Sequence, residues 1–578
     1  MPKKFIKLTQ TTPGVDMNLR STKGVIPSLF ILLSLVYTFP FLIKYNYLGV
    51  RDWDLFTTIT AVPVGSLLDY GQFPFWNPYL GGGNILFHHP ETAVLSPFMI
   101  LHLIFGAVIG LKLQVLICYF LGFFGTYMFM RRLEISEVAS AAGAVVYFGS
   151  VHFALHFAEG HMPFTHFCFM PWFLYFIHKS VENTKFTIPA AVSLALMIIG
   201  NGAAIPLLYT LTFSSILFLL WAFTQRNLIY LRNYILSSLM AILLSAVKFV
   251  PMVIYLYQNK WSVNSDESIP LSALGNIFFG LKHSLFAQNF AGQVWGWHEY
   301  GAYISPLVVL LAVFSLAKCL RKHFVWLLLL IFFLILGLGN FGSYSLWALL
   351  SKLPGYSSAR CTGRSFQMVI FCSAILGAFG WDYLNGILRK NSVRLVTYIP
   401  MVLLLIIVGT NVWLAYPVMD SAFTERPVEI VRHKDFKHVV DEKSHAYKNY
   451  LANRGSLVAP WLSAYHESRG LVGPFGNVFE EYILDGKAEI IKRDYTPNRI
   501  EYVINGIESG KIVIGMGDDR GWTAETVSKL PATGGLITVP FETGEQGIIL
   551  RYRTPYFISG LILSVLSMIA LGIYWKRS

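Results

Sequence analysis

The sequence predicts a polytopic α-helical membrane protein of about twelve transmembrane helices, with a C-terminal β-rich, sandwich-like domain outside the cytoplasm just before the last helix. Three observations predict it. Hydrophobic residues make up 54% of the 578-residue chain and charged residues only 13%, whereas soluble proteins carry about 25% charged residues. Apolar runs long enough to cross a bilayer are joined by short loops in which Lys and Arg cluster at every second junction. A late block, by contrast, is charged and alternates apolar with polar residues at the period of a strand.

Taken in order, the spans run at about 25–45, 112–130, 138–157, 165–178, 187–201, 204–223, 234–257, 302–318, 324–340, 365–385, 395–415 and 555–574. The basic N-terminus, followed by a long apolar run without a small-residue cleavage site, reads as a tail before a retained helix. With that tail inside, every second junction is basic: Arg131-Arg132, Lys179 with Lys185, Arg226 with Arg232, Lys318-Arg321-Lys322, Arg389-Lys390-Arg394 and Lys576-Arg577. Cytoplasmic loops are enriched in Lys and Arg, so both termini are expected in the cytoplasm. The apolar run 93–109 breaks this alternation if it crosses, and is expected to be a re-entrant or half-buried helix packed on the bundle.

The resulting division is a tail at 1–24, a transmembrane module at 25–415 with a first outward loop at 46–92, an outward domain at 416–554, and a last helix and tail at 555–578. In the outward domain the stretches IEYVIN, KIVIGMG, GLITVPF and QGIILRYR are separated by Gly and Asp and read as strands. The part from 428 to 453 reads as more helical or irregular.

The formal charge of +13 does not point to nucleic acid, because the basic residues sit in the short loops that orient a membrane protein. Membrane lipid is the expected surrounding. The five cysteines have no metal-ligand spacing and support no disulfide framework.

Chemistry is expected in the outward segments. The first opens with Asp52 and Asp54 in RDWD, just beyond the first helix, where carboxylates can act as a general base or hold a cation. They can equally be solvated loop charges. Lys248 stands within the seventh span, where an ammonium should face a polar cavity or snorkel to the interface. Arg360 and Arg364 could clamp a phosphate bidentately, bind headgroups, or pair with the outward domain. In VHFALHFAEGH, His152, His156 and Glu159 share a helix face with His161 just beyond. That face could hold a divalent metal or form a polar stripe bonded inside the bundle. Glu159 and His161 are the preferred substrate contacts. His88, His89 and Glu91, in a Pro-bounded turn, have the same two readings, and His298 and Glu299 carry less weight.

The string LLDYGQFPFWNPYLGGGNILFHHPETAVLSPF resembles the first outward loop of the YfhO-like family of bacterial membrane proteins, which belong to the GT-C superfamily of glycosyltransferases. Gly71, Phe73, Pro74, Trp76, Asn77, Pro78, Gly81 to Gly83 and Pro97 match that family's order. Gly160-His161 before a Pro-containing span, the stretch ending in LPGYSSARCTGRSF, and GDDRGWTAE with the strand-rich segment after it are similar in order and spacing. The resemblance covers most of the chain, with a departure at Gly517 to Arg520, where the family has an aromatic-Pro approach to Gly-Trp.

The resemblance implies a GT-C-type membrane glycosyltransferase. It would take a sugar from a polyprenyl-phosphate donor and pass it to a cell-surface polymer, such as a teichoic acid, or to a glycolipid on the outer face. Asp52 or Asp54 would be the base, with Lys248, Arg360 and Arg364 meeting the phosphate. The rival readings are a transporter or flippase of lipid-linked sugars and a non-catalytic scaffold. Carriers are commonly built from two related halves, and no half-to-half similarity is evident.

Overall fold

The computed structural model describes residues 24–259, 267–286, 295–391, 393–427, 429–440, 445–457 and 478–577. The basic N-terminal tail, parts of the outward segment 258–301 and parts of 428–453 lie outside them. Among the described residues, eight helices are long and apolar enough to cross a membrane: Val25–Ile43, Met99–Arg132, Glu137–Glu159, Ile205–Thr224, Pro306–Leu338, Thr362–Arg389, Met401–Asp420 and Phe557–Lys576. In the first of them Ser34 Oγ and Thr38 Oγ1 donate to carbonyls one turn back, each at 2.7 Å.

Two of these long helices are hairpins. At Cys319 (φ −153°, ψ 70°) the helix Pro306–Leu338 folds onto itself. Before that point Val308 and Leu311 pack on Gly377 and Gly380. After it His323 meets Phe379 and Tyr383, Ser365 Oγ bonds Phe333 O at 3.1 Å, and Gly337 abuts Phe366. The first half therefore runs with the helix Phe366–Asn391 and the second against it. Gly106, at φ +77°, makes the other turn, a conformation that only glycine adopts cheaply. It sends Met99–Phe105 back so that His102 lies against Gly110 and bonds Gln114 at 3.2 Å. Seven helical residues rise about 10 Å, too little to cross about 30 Å of hydrocarbon; within the run 93–109, where a re-entrant or half-buried helix is expected, the helix before the turn occupies only residues 99–105.

Among the described residues, the shorter helical segments 162–180, Thr184–Ile199 and Ile229–Leu244 pack among these helices between the two ends of the bundle. Contacts define these ends. At one, Lys44 pairs with Asp420 at 2.7 Å and Arg51 with Glu159 at 3.2 Å. At the other, Arg132 pairs with Glu182, Ser136 N bonds Asp382 at 2.8 Å, and Thr184 meets Tyr574.

The seventh span does not reach 257. The chain turns by 89° between Ile229–Leu244 and Ala246–Gln258, and the second helix lies across the end of the bundle against the last helix. Lys248 is therefore beyond the span rather than within it. Its Nζ donates to the carbonyls of Thr92 and Gly200 at 2.6 Å each and of Pro90 at 3.5 Å, pegging three segments together. Lys248→Met is expected to cost about 2 kcal/mol, since bonds to a charged group are worth about 1.5–3 kcal/mol and the carbonyls stay buried. Thermal unfolding of the solubilised protein checks this.

At the Lys44–Asp420 end sits the β-rich domain. Short ladders tie it to the bundle: β1 (Leu48–Gly49) comes from the first loop, as does the hairpin β2 (Trp76–Asn77) and β3 (Asn84–Ile85). β1 pairs with β4 (Phe423–Glu425), and β5 (Lys437–Val439) pairs with β6 (Arg454–Ser456). β7 (Glu481–Thr496), β8 (Arg499–Gly517), β9 (Trp522–Ala524), β10 (Leu530–Thr533), β11 (Leu536–Phe541) and β12 (Gly544–Tyr552) form one six-stranded antiparallel sheet. Long β8 pairs with β7 along one edge and with β12 and then β11 along the other.

The inward residues of the sheet do not form a core alone. Ile504, Ile514, Met516, Trp522 and Tyr552 pack with Trp76, Tyr79 and Leu80 of the first loop. Trp76 lies 5.5 Å from the Trp522 ring and 4.5 Å from that of Tyr552, and its Nε1 donates to Met516 Sδ at 3.2 Å. The Phe-Pro-x-Trp-Asn-Pro stretch is thus the seat of the outward domain. The turn at 517–520 fastens the sheet to that seat, for Gly517 N bonds Gly82 O at 2.9 Å, and Asp519 accepts from Gly521 N and Tyr552 OH.

Candidate active site

The helix Asp52–Leu68 follows the first span, and its N-terminus meets the C-terminus of Val151–Glu159. Gly160 permits this approach. It has φ +97°, and a Cβ there would lie 2.3 Å from Trp53 N. Trp53 Nε1 fixes the contact by donating to Phe157 O at 2.9 Å. Glu159 and His161, either side of Gly160, are thereby delivered to Arg51 and Asp52.

A cavity of ≈ 190 Å³ opens there, lined among others by Arg51, Asp52, Glu91, Glu159, His161, His298, Glu299, Arg360 and Arg364, with Phe164 and Trp295 as apolar walls. His161 Nε2 faces Asp52 Oδ2 at 3.3 Å, and its Nδ1 lies 2.8 Å from His156 Nδ1. Arg51 Nη1 reaches Glu159 at 3.2 Å and Nη2 donates to Leu285 O at 3.1 Å. Arg364 clamps Glu299 through both carboxylate oxygens, with Nε at 2.6 Å. Arg360 lies 5.8 Å from the Trp295 ring.

These charges are tuned by burial and by one another. Burial alone would raise the Glu299 carboxyl, but Arg364 outweighs it and holds the group well below the usual carboxylate range. Burial raises Glu91, against the pull of Arg360 and Arg364. Burial would lower His161, yet its hydrogen bond to Asp52 and the charges of Glu299 and Asp52 carry it above 6.5.

The sequence-predicted residues divide sharply. Asp52, Glu91, Glu159, His161, Arg360 and Arg364 line this cavity. Asp54 does not line it. Its Oδ2 accepts from Ala446 N at 2.8 Å and Oδ1 from Tyr447 N at 3.0 Å, capping the helix Ala446–Leu451 of the outward domain. It therefore anchors that domain and is not placed to act as the base. Asp54→Ala is expected to cost about 1 kcal/mol, as for a lost helix cap, measured by thermal unfolding, with turnover per folded molecule preserved.

Lys248 is likewise away from the cavity, consumed by backbone carbonyls. His88 packs edge-on to Tyr255 at 5.4 Å and lies 3.4 Å from Thr554 Oγ1, while His89 Nδ1 accepts from Glu91 N at 3.2 Å. Burial holds both imidazoles down at about 3. They are neutral packing groups beside the cavity rather than substrate contacts. Arg364, though on the wall, spends its fork on Glu299. Arg51 was missed; its signal was the charge triplet it forms with Asp52 and Asp54.

Two sets of three ligand atoms each lie within 4.8 Å of one another: His156, His161 and Glu299, and Glu159, His161 and His298. Imidazoles with a carboxylate suit a divalent transition metal. The second set fits better, because Glu159 Oε2 and His298 Nδ1 face each other at 3.5 Å without a hydrogen bond to any other group, whereas Glu299 is held by Arg364.

Fold and site together define a multi-pass membrane protein with a charged chamber at the end that carries its β-rich domain. Residues 97–417, more than half of the chain, match the family described as a 6-pyruvoyl-tetrahydropterin synthase related domain, membrane protein, and the chain belongs to that family. The match covers most of the bundle and leaves out its first and last helices, Asp52 and the sheet. No curated protein matches the sequence.

Among solved structures, the chain is similar to a mycobacterial arabinofuranosyltransferase, with 13% identity over 69% of this chain and a TM-score of 0.41. It is similar also to the Archaeoglobus fulgidus oligosaccharyltransferase tethered to an acceptor peptide, with 11% identity over 77% of this chain and a TM-score of 0.42. It spans 27% of the first of those chains and 65% of the second.

Proposed function

We propose that the protein is a YfhO-like membrane glycosyltransferase of the GT-C type, which moves a sugar from a polyprenyl-phosphate donor to an acceptor on the outer side of the membrane. The observation that carries this reading is the chamber itself, where Asp52 is held by His161 and faces a space bounded by Arg51 and Arg360. The basic residues Arg131, Arg132, Lys179, Lys185, Lys318 and Lys322 lie toward the opposite end, which favours a cytoplasmic position for that end and for both termini.

In this reading Asp52 takes the proton of an acceptor hydroxyl as that oxygen attacks the anomeric carbon. The bond from that carbon to the phosphate oxygen breaks, and the phosphate leaves with the electron pair, its charge met by Arg360 and Arg51. A single displacement inverts the sugar. His161 orients Asp52 through Nε2 at 3.3 Å.

Membranes holding the protein and a radiolabelled polyprenyl-phosphate sugar should lose label to an acceptor. Accumulation of intact labelled donor across sealed vesicles, without glycosylation, would instead support a flippase.

The His161–Asp52 pair also sets a pH dependence. Because the folded imidazole is raised above 6.5, its contribution to stability is full below pH 6.5 and is lost as pH rises through the raised value. Transfer runs the other way: a protonated His161 withdraws charge from Asp52, so the rate should rise with pH through a midpoint above 6.5. A pH–rate profile in which His161→Gln leaves that limb unchanged would refute the assignment.

A further inference from the structure

A second cavity, of ≈ 240 Å³, lies on the other side of Arg51 and is lined by Arg51, Asp54, Thr57, Glu425, Tyr447 and Lys448, together with the β1 backbone. Most of its wall comes from the first loop and the helix that follows it, and the rest from Glu425, Tyr447 and Lys448 of the outward domain, joined by the pairing of Leu48 with Glu425. Glu425 and Lys448 form an ion pair at 2.8 Å with side chains 46% and 29% exposed, so this cavity opens to water. Arg51 lines both cavities. Asp52 belongs to the inner one and Asp54, two residues on, to the outer one.

We propose that the outer cavity is the acceptor subsite and that it takes one unit of a neutral, hydroxyl-rich glycan. This rests on the glycosyltransferase reading of the inner chamber. The lining carries two cations, Arg51 and Lys448, and two carboxylates, Asp54 and Glu425, so it offers no net charge to a polyanion such as a phosphate-linked polymer. Asp54 and Arg51 are engaged by Ala446, Tyr447 and Glu159, so the partly exposed Lys448 and Glu425 supply the donor and the acceptor that a sugar requires, since each hydroxyl both donates and accepts. Tyr447 supplies an aromatic wall with a polar tip, suited to the apolar face of a sugar ring and its hydroxyl edge. The volume falls below the roughly 300 Å³ at which drug-sized pockets begin; it holds a single unit while the rest of the glycan remains in water. A unit bound there sits beside Arg51, which also lines the inner chamber.

The test uses the full-length protein in membranes, labelled polyprenyl-phosphate sugar, and a cell-envelope fraction as acceptor. In Glu425→Gln and Lys448→Gln, singly and together, the acceptor concentration for half-maximal transfer is expected to rise tenfold or more. Donor KM and kcat should stay within twofold. The labelled product should pass unretained through an anion exchanger at neutral pH. A swapped pair, Glu425→Lys with Lys448→Glu, keeps the ion pair while exchanging donor and acceptor positions. It should show the same acceptor deficit, whereas a purely structural pair would be rescued by the swap. An unchanged acceptor dependence in the double Gln variant, rescue by the swap, or a product retained on the exchanger overturns the proposal. Absence of transfer by the wild type would strike at the chamber reading itself, and the subsite would fall with it.

Discussion

Asp52→Asn is expected to lower sugar transfer by about 10³-fold, within the 10²–10⁴ range that a positioned general base supplies, with donor affinity little changed. The amide keeps the size of the carboxylate and the contact with His161 but cannot take the acceptor proton. Asp54→Asn, two residues away, is expected to leave the rate within about threefold, because its carboxylate is committed to Ala446 and Tyr447. Single-turnover rates with labelled donor measure both. Equal losses at the two positions would contradict the division of labour between them.

The second large effect concerns the chamber's frame. Glu299 and Arg364 are both buried, with side chains 3% and 11% exposed, and they bond through both carboxylate oxygens. Glu299→Gln leaves the guanidinium buried beside an uncharged amide, and breaking such a pair costs about 3–5 kcal/mol. Thermal unfolding of the solubilised protein should show that loss. The double variant Glu299→Leu with Arg364→Met should recover most of it, because replacing both ions by apolar groups removes their desolvation penalty. Failure to recover would mean that Arg364 has a further partner whose loss matters.

Much of the bundle was legible because its signal is local. Apolar runs of spanning length mark helices such as Val25–Ile43, Ile205–Thr224 and Phe557–Lys576 directly. The bend at Ser245 was not legible, since 234–257 reads as one apolar stretch. It is stabilised from afar: the Val247 N–H that it frees is taken by Ser564 Oγ at 3.0 Å, and Lys248 finds its carbonyls on two other segments. Asp52 and Asp54 were indistinguishable for the same reason. They differ only in what packs against them, His161 on one side and the N-terminus of Ala446–Leu451 on the other. Glu299 carried little weight because its partner Arg364 lies 65 residues along the chain. The first-loop motif was conspicuous in the sequence, but Trp76 proves to serve packing against Trp522 and Met516 rather than chemistry.

Transfer of a sugar to the cell envelope is the central claim, and the composition of that envelope tests it most directly. Mass spectrometry of envelope glycans and glycolipids should be compared between cells with the gene, without it, and with only the Asp52→Asn form. One sugar modification should be present in the first and absent from both of the others. Envelopes identical in all three, or a modification restored in full by the Asp52→Asn form, would contradict the account.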